Sequence, residues 1–457
     1  MQLNYREDNN IFVESKTMKR REFCQLLSAS SLVLATPKGV NQAFAATPDH
    51  FLVMVGAHGG WDPTISIDPK GDILYDATRG MINHYAVSDI KKVGGINVAP
   101  SMATIATPLP TSNTPTLAAG DKDKFVNFFT KYQNWLVLNG INTQTTNHNS
   151  GQSGVWSGNL TENDFPCLAA LYAGCKMPEL PMSFSDFGYY SVTKDVVSKV
   201  MPGNTNLING LASPNQLNGT PYYDQEIFDD IEKARKERIT RLKAEATLPE
   251  KQYQLGAIFS AEENLVDLKK FQNFLSPTLP NTSPYRNNPL ARQAQIACAA
   301  FAAGIGISAN LTMGGFDTHG NHDIDQYNAQ LRLFEGVDFL IQEATAKGII
   351  DKMTIIVGSD FGRTPYYNTG NGKDHWNHTS MMMMGPGIRG NRVVGASDKQ
   401  VKSLKLDPVT LQVSSAASAV ILDYETVQAS LRQHLGIDQH AFSKKFNIKR
   451  KTLELFI

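Results

Sequence analysis

Between Met313 and Ser397 the sequence contains three polar motifs, GGFDTHGNH at 314–322, GSDFGRTP at 358–365 and KDHWNH at 373–378. They interrupt segments typical of strands, and one long helical pattern separates the first motif from the second. Carboxylates and imidazoles at the ends of separate strands predict ligands gathered at one edge of a parallel sheet. The stretch therefore favours an α/β fold with a cluster of ligands at the edge of its sheet.

The segments around these motifs alternate between strand and helix. We predict strands at 308–313, 352–357 and 380–384, and helices at 289–304, 323–347 and 423–435. Such alternation indicates a mostly parallel sheet with helices on both faces. The predicted fold class is a doubly wound α/β/α sandwich.

The N-terminal half supplies two more strands that end in polar loops. Phe51–Val55 is a continuous apolar run that leads to Gly59, Gly60, Trp61 and Asp62. Asp62 is either a ligand at the sheet edge or a solvated residue of a tight turn. Residues 134–138 read as the next strand, and a helix is expected near Ser150. Residues 162–176 are expected to be helical and 180–187 to form a strand, whereas 63–125 are expected to be loops.

The composition changes between residues 223 and 275. A long charged stretch begins at Asp229, and its sparse apolar residues predict a mostly solvated helix. A second helix at 261–274 would pack against it as a helical hairpin. The hairpin is interpreted either as a surface decoration or as a lid over the site.

Bulk composition excludes some functions. The chain has 457 residues and equal numbers of acidic and basic side chains, 43 of each, so no charged footprint for nucleic acid is expected. The length exceeds a single core of about 250–300 residues, which predicts one large domain with an insertion or two lobes.

The N-terminal segment resembles an export signal. Arg20 and Arg21 precede an apolar run from Leu26 to Leu34, and an Ala-Phe-Ala cleavage site follows at 43–45. We therefore predict a twin-arginine signal peptide at 1–45, a domain at 46–457 with the helical insertion at about 223–275, and a periplasmic or secreted location. No other segment is apolar over about 20 residues, so no membrane span is expected after cleavage.

The cysteines predict no disulfide. Cys167 and Cys175 lie in a segment that reads as helix, where eight residues separate them by about 12 Å. With Cys298 they are expected to be three unpaired thiols.

The residue types in the three motifs favour a transition-metal site. Asp317 and His319 are two residues apart beyond a strand, where an extended chain places alternate side chains on one side. Asp360 and His375 follow the next strand. A mixed Asp/His set suits Zn²⁺ or Mn²⁺ rather than Ca²⁺ or Mg²⁺.

The order and spacing of four motifs carry a resemblance to a known family: GFDTHG at 315–320, DFGRTP at 360–365, DHW at 374–376 and GPGIRG at 385–390. They resemble a family of twin-arginine-exported proteins of unknown function that is similar to the alkaline phosphatase/sulfatase superfamily. The signal, the loop at 59–62 and residues 148–158 also match, so the resemblance covers essentially the whole chain after the signal.

The resemblance implies a two-metal site at the strand ends and a nucleophile at a helix start. Asp62 resembles the first-strand carboxylate, and Ser150 falls where the nucleophile segment lies. Asp317 and His319 resemble one metal's pair, Asp360 the carboxylate on the bridging side, and His375 the distal histidine. Arg363 either binds an oxyanion or pairs with a carboxylate. Four further histidines are candidate ligands: His58, His148, His322 and His378. His148 is also assigned to catalysis.

Three departures from the superfamily pattern leave alternatives open. The spacing of Asp317 and His319 is tighter than in the phosphatases, so His322 is an alternative partner of Asp317. Phe361 stands where superfamily phosphatases have a histidine, so either His148 or His378 substitutes or one metal binds. Neither Ser150 nor Cys167 has the neighbours that formylglycine formation requires in sulfatases. We expect hydrolysis of a small-molecule or glycan ester of phosphate or sulfate, with Ser150 or a metal-bound water as nucleophile. The alternative is a catalytically degenerate binding or envelope-associated protein on the same scaffold.

Overall fold

The computed structural model of the protein describes residues 48–101, 121–203, 215–217, 220–245, 247 and 270–457. The predicted signal peptide at 1–45 lies outside the described residues. So do residues 102–120 of the predicted loop region and most of the predicted second helix at 261–274. Residues 48–457 form one compact unit.

An eight-stranded sheet forms the centre of this unit. Its strands, in chain order, are β1 (Phe51–Ala57), β2 (Leu136–Asn142), β3 (Phe184–Asp186), β4 (Lys199–Val200), β5 (Ser308–Met313), β6 (Met353–Ser359), β7 (His378–Met384) and β8 (Arg392–Val394). Across the sheet they are ordered β8-β2-β7-β6-β1-β5-β3-β4. The first strand is thus a central one, between β5 and β6.

One strand runs against the other seven. β7 is antiparallel to both of its neighbours, β6 and β2, whereas every other pairing in the sheet is parallel. Parallel neighbours require a crossover connection, but antiparallel neighbours are joined directly. The segment 360–377 therefore returns from β6 to β7 at the same edge of the sheet.

The described helices are α1 (Lys124–Lys131), α2 (His148–Ser157), α3 (Leu168–Lys176), α4 (Gln225–Glu245), α5 (Pro289–Ala302), α6 (His322–Ala346), α7 (Tyr424–His434) and α8 (Ala441–Lys445). α1 and α5 pack on α6, whereas α7 packs on α2 and α8 on α3. Every residue of β1 and β6 is buried, as expected for strands that are covered on both faces. The predicted α/β sandwich is confirmed.

Several predicted boundaries differ from the structure. The predicted helix at 162–176 begins only at Leu168, and the strand at 180–187 shortens to Phe184–Asp186. At the end of the predicted loop region begins α1, a helix that was not predicted and whose Phe125, Phe128 and Phe129 form one buried face. The predicted loop region also contains two short antiparallel ribbons, in which Leu74–Asp76 pairs with Gly80–Met81 and Lys91–Val93 pairs with Ile96–Val98. Two further ribbons lie elsewhere in the described chain, and they pair Gln216–Leu217 with Thr220–Pro221 and Gly362–Arg363 with His375–Trp376. Within the described residues, 3₁₀ turns occur at Pro63–Ile65, Val87–Asp89, Asp121–Asp123 and Ile350–Lys352.

Two expectations about the surface and the thiols are confirmed within the described residues. α4 is solvated, with its apolar residues Ile227 and Ile231 exposed. Cys167, Cys175 and Cys298 are unpaired, and burial raises the pKa of Cys175 to about 11. Among the residues described, no helix is long and apolar enough to cross a membrane.

Candidate functional site

The predicted site residues collect at the carboxyl edge of the central strands. His58 follows β1, Asp317 follows β5 and Asp360 follows β6. His148 opens α2 after β2, where the Asn147 side chain caps the helix by accepting from the backbone of Asn149 and Ser150. In the β6–β7 connection a short ribbon places Arg363 opposite His375, which carries His375 back to the end of β6.

Four of these side chains form what we call the His/Asp cluster: His148, Asp317, His319 and His375. Ligand atoms of His148, Asp317 and His375 lie within 4.8 Å of one another. The Nε2 atom of His319 is 3.0 Å from Asp317 Oδ1 and 3.0 Å from the Nε2 atom of His375. His375 Nε2 is in turn 3.1 Å from the same carboxylate oxygen. Three imidazoles thus converge on one carboxylate.

Each imidazole of the cluster is oriented by an acceptor on its other nitrogen. His148 Nδ1 is 2.6 Å from Asp360 Oδ2, His375 Nδ1 is 2.8 Å from the Thr146 carbonyl, and His319 Nδ1 is 2.8 Å from Asp374 Oδ1. Carboxylates and carbonyls accept hydrogen bonds, so the proton of each neutral ring lies on Nδ1. The Nε2 lone pairs therefore face the cluster. This is the arrangement of metal-binding histidines.

Asp317 is the carboxylate at the centre of the cluster. Partial burial opposes its ionisation, but the hydrogen bond and the positive charge of Arg363 lower the pKa of Asp317 to about 2. Arg363 is fully buried and donates from Nη2 to Asp317 at 2.7 Å, from Nε to the Gly60 carbonyl and from Nη1 to the Lys373 carbonyl. Of the two alternatives for Arg363, the structure shows the ion pair. Its guanidinium is not directed to an oxyanion in the cleft.

Asp360 stands behind His148. It is fully buried, and its Oδ1 accepts from the backbone N–H groups of Gly59 and Gly60, while its Oδ2 contacts His148. The hydrogen bond with Asp360 raises the pKa of His148. The sequence predicted Asp360 to be a ligand, whereas the structure places it one step removed, as the residue that orients His148.

Asp62 belongs to a separate buried network. Its Oδ2 is 2.7 Å from Lys373 Nζ and 2.9 Å from His322 Nε2, and its Oδ1 accepts from Thr64. Although burial opposes ionisation, Lys373 and His322 hold the pKa of Asp62 well below its usual range. Asp62 and His322 were candidate ligands. In the structure the Asp62 carboxylate instead contacts both His322 and Lys373, because the Lys373 side chain from the third motif reaches it.

Two further predicted residues also lie apart from the cluster. Ser150 is half-buried on the first turn of α2, and its backbone N–H donates to Asn147. His378 starts β7 beside Trp376, facing Asp68 and Ser397, and burial lowers its pKa to about 4. Of the two proposed substitutes for a histidine at 361, His148 is the one that the structure brings to the cluster.

Phe361 supports the cluster in place of that histidine. Its ring centroid is 4.8 Å from that of His148 and 4.5 Å from that of His375. Gly60 makes this possible, since a Cβ there would lie 2.6 Å from the Phe361 ring. Asp374 and Thr146 also hold cluster histidines but were not predicted. Asp374 was visible within the third motif, whereas Thr146 contributes only its backbone carbonyl and leaves no signal in the sequence.

A cleft of about 570 Å³ opens beside the cluster. His148 and Asp317 border it, as do His58, Gly314 and the first turns of α6. Ser150 is not among the described residues that line it. The volume falls within the range of about 300–1,000 Å³ that is usual for small-molecule sites.

The fold and the site define the class: an α/β sandwich with a histidine-rich, carboxylate-containing cluster at the carboxyl edge of its sheet. A family model described as "Protein of unknown function (DUF1501)" matches residues 236–451. A search of curated protein sequences finds no match.

Solved structures with detectable similarity include a lipoteichoic acid synthase, alkaline phosphatases and a phosphonate monoester hydrolase. The lipoteichoic acid synthase LtaP from Listeria monocytogenes is 8% identical over 90% of this chain and 78% of that chain, with a TM-score of 0.34. The alkaline phosphatase from the Antarctic bacterium TAB5 is 11% identical over 75% of this chain and 92% of that chain, with a TM-score of 0.32. The phosphonate monoester hydrolase of Agrobacterium radiobacter is 12% identical over 85% of this chain and 74% of that chain, with a TM-score of 0.30. Scores this low do not support a comparison of the sites residue by residue.

Proposed function

We propose that this protein is an exported, metal-dependent hydrolase of phosphate or sulfate esters whose ion is held by the His/Asp cluster. One observation carries the proposal. The Nε2 atoms of His319 and His375 lie 3.0 Å apart, and both lie about as close to Asp317 Oδ1. With their protons on Nδ1, these atoms are all acceptors, and acceptors at this distance repel unless a cation lies between them.

The donor set fits a first-row divalent ion. Imidazole nitrogens with one carboxylate suit Zn²⁺ or Mn²⁺, whereas Ca²⁺ and Mg²⁺ prefer oxygen ligands. When bound, such an ion would polarise the ester oxygens and lower the pKa of a water molecule at the site. Asp360, Thr146 and Asp374 fix the ring orientations, and Arg363 neutralises part of the charge of Asp317.

The nucleophile in this proposal is water rather than Ser150. Ser150 does not line the cleft, whereas the cluster opens directly onto it. Water attacks phosphorus or sulfur and releases a proton to solvent, the bond to the ester oxygen breaks, and the leaving alcohol takes up a proton. His58 is exposed in the cleft beside His148, with ring centroids 6.2 Å apart, so we assign this proton transfer to His58.

The location in this proposal is the periplasm or the outside of the cell. The support is the order of features at the N-terminus, where an arginine pair precedes an apolar run and a small-residue cleavage site. Proteins that use this route are translocated folded.

The test is elemental analysis of protein purified without added metal, followed by assays with phosphate and sulfate esters. We expect one equivalent of zinc or manganese per chain and hydrolysis that a chelator abolishes. His375→Ala should lose the ion while retaining the folded state, and His378→Ala is the matched control outside the cluster. Full metal occupancy in His375→Ala would contradict the ligand assignment.

A second candidate function is ligand binding without catalysis. It is favoured by the contacts of Arg363, whose guanidinium donates to the Gly60 and Lys373 carbonyls and to Asp317 rather than to a transferring group. Metal-loaded protein that binds phosphate or sulfate esters but turns over none of them would support this candidate.

A further inference from the structure

The cleft beside the cluster extends along one face of α6. Asp325, Asn328 and Arg332 line it, at positions i, i+3 and i+7 of the helix. These three side chains are exposed, whereas Tyr327, Leu331 and Phe334 on the opposite face are buried. The polar face spans about 10 Å along the helix axis, so it reaches well beyond the bond that would be cleaved.

The polar groups on this face are free to bind a ligand. Within the described part of the chain, neither the Asp325 carboxylate nor the Asn328 amide has a hydrogen-bonding partner. Arg332 donates from Nη2 to the Asn287 carbonyl at 3.0 Å, which fixes the guanidinium and leaves its other N–H groups without an acceptor among the described residues. A carboxylate, an amide and a guanidinium thus face the same cleft.

This face of α6 is held at a fixed position relative to the cluster. Gln326 and Gln330 are fully buried. Gln326 donates to the Phe316 carbonyl at 3.1 Å, one residue before Asp317, and Gln330 donates to the Asp62 carbonyl at 2.7 Å. Both bonds connect the helix to the loops that carry the site, as a preorganised binding surface requires.

We propose that this face of α6 binds the alcohol part of the substrate, and that this part is an uncharged polyhydroxylated ring such as a sugar. The proposal rests on the proposed ester hydrolysis and extends it to the substrate class. The face carries one charge of each sign, so a charged group on the ligand would be attracted by one of Asp325 and Arg332 and repelled by the other, with little net gain. Hydroxyl groups both donate and accept, so a polyol can donate to Asp325 and accept from Asn328 and Arg332.

The floor of the cleft agrees with a bulky ring. It is formed by Gly314 and Gly315, which have no side chains, and a Cβ at Gly314 would meet nothing within 4 Å. Gly315 has φ of +103° and is held in a conformation that favours glycine, whereas Gly314 can accept a side chain. Gly314→Leu therefore fills the cleft from below without changing a cluster residue.

The experiment compares sugar esters with aryl esters. For the metal-loaded protein, kcat/KM is measured for glucose 6-phosphate and glucose 6-sulfate, and for p-nitrophenyl phosphate and p-nitrophenyl sulfate. In Asp325→Ala/Arg332→Ala the ratio of sugar to aryl kcat/KM should fall by about 10- to 100-fold, since bonds to charged groups are lost. Gly314→Leu should lower the same ratio.

The matched control is Lys124→Ala/Glu335→Ala, which also removes one charge of each sign. This pair, with its charged atoms 3.9 Å apart, lies outside the cleft, and both side chains are 45% exposed. The control should leave the ratio unchanged. An unchanged ratio in Asp325→Ala/Arg332→Ala, or an equal fall in the control, would overturn the proposal.

Failure of the hydrolase proposal is distinguishable from failure of this one. If the natural sequence hydrolyses none of the four esters, the proposed activity is wrong. Calorimetric titration with glucose 6-phosphate then decides the sugar proposal. Binding that weakens tenfold or more in Asp325→Ala/Arg332→Ala supports it, and no detectable binding to the natural sequence overturns it.

Discussion

Asp360 controls which nitrogen of His148 is free to bind an ion. Its Oδ1 must remain an acceptor for the N–H groups of Gly59 and Gly60, so in Asp360→Asn the amide NH₂ would face His148 Nδ1. The imidazole would then carry its proton on Nε2 and lose its lone pair toward the cluster. We expect zinc affinity, measured by calorimetry, to fall by about 10- to 100-fold.

Asp374→Asn provides the comparison for that variant. Asp374 orients His319 in the same way but is 51% exposed, and Asn368 donates to the same oxygen. Solvent can replace an exposed partner, so the loss of zinc affinity should be smaller than in Asp360→Asn. Equal losses in the two variants would contradict a special role for the buried carboxylate.

His58 is predicted to protonate the leaving alcohol. His58→Gln should therefore slow esters of poorly leaving alkyl alcohols by about 100-fold or more, and p-nitrophenyl esters much less. The measurement is kcat for a series of esters with leaving groups of increasing pKa. A uniform loss across the series would instead indicate that His58 contributes to binding or to the integrity of the cluster.

At the residue scale, sequence reasoning named the side chains that the structure brings together around Asp317, but it did not anticipate the buried partners of Asp62 and Asp360. Asp317, His319 and His375 were recognisable because their motifs follow strands and combine carboxylates with imidazoles. The role of Asp62 was not predictable, because its partner Lys373 is 311 residues away and the lysine side chain gives no sign of burial. The contact between His148 and Asp360 spans 212 residues and was equally invisible.

The loop between β6 and β7 is held in place by a buried ion pair. Lys373 is fully buried, contacts Asp62 through Nζ at 2.7 Å, and donates from its backbone N–H to the Thr318 carbonyl. Lys373→Met leaves Asp62 buried without its counter-ion, so the free energy of unfolding should fall by about 3–5 kcal/mol. Urea unfolding measures it, and Asp62→Asn in the same chain should restore most of the loss.

The control for this prediction is a lysine in an exposed pair. Lys131 Nζ is 2.6 Å from Asp338, but the lysine side chain is 51% exposed. Lys131→Met should cost less than about 1 kcal/mol. A similar loss of unfolding free energy in the two lysine variants would mean that burial does not determine how much the Asp62–Lys373 pair contributes to stability.

Asp62 and Asp317 determine how the free energy of unfolding of the metal-free protein changes in acid. The pKa values of Asp62 and Asp317 are both below their usual value of 3.8, and that of Asp317 is about 2. A lowered pKa contributes stability above the unfolded value, and this is lost as the pH falls toward the folded value. The free energy of unfolding should therefore decline from about pH 4 to pH 2, and less so in Asp62→Asn/Lys373→Met.

At the element scale, the sequence predicted the long central strands and helices well, because apolar runs and helical periodicity are local signals. It did not predict the direction of β7. Four consecutive methionines, 381–384, have no alternation that would distinguish a strand with parallel neighbours from one with antiparallel neighbours. α1 was missed because its three buried phenylalanines occupy a segment of only eight residues.

At the scale of the whole molecule, export is predicted to depend on the arginine pair. Arg20→Lys/Arg21→Lys should leave the protein in the cytoplasm with its first 45 residues attached. Cell fractionation and the mass of the purified protein measure this. Arg6→Lys, a change of the same kind within residues 1–45 but away from the arginine pair, should not affect the location. Unchanged export of the double variant would contradict the twin-arginine assignment.

The position of β1 in the sheet determines when the sheet can be completed during synthesis. Its neighbours are β5, at residues 308–313, and β6, at residues 353–359. A nascent chain shorter than about 300 residues therefore contains an apolar strand with neither neighbour, and such strands are prone to aggregation. The most N-terminal strand of the sheet is thus among the last to be paired, and chaperone binding near residues 51–57 should persist until the ribosome has passed residue 359.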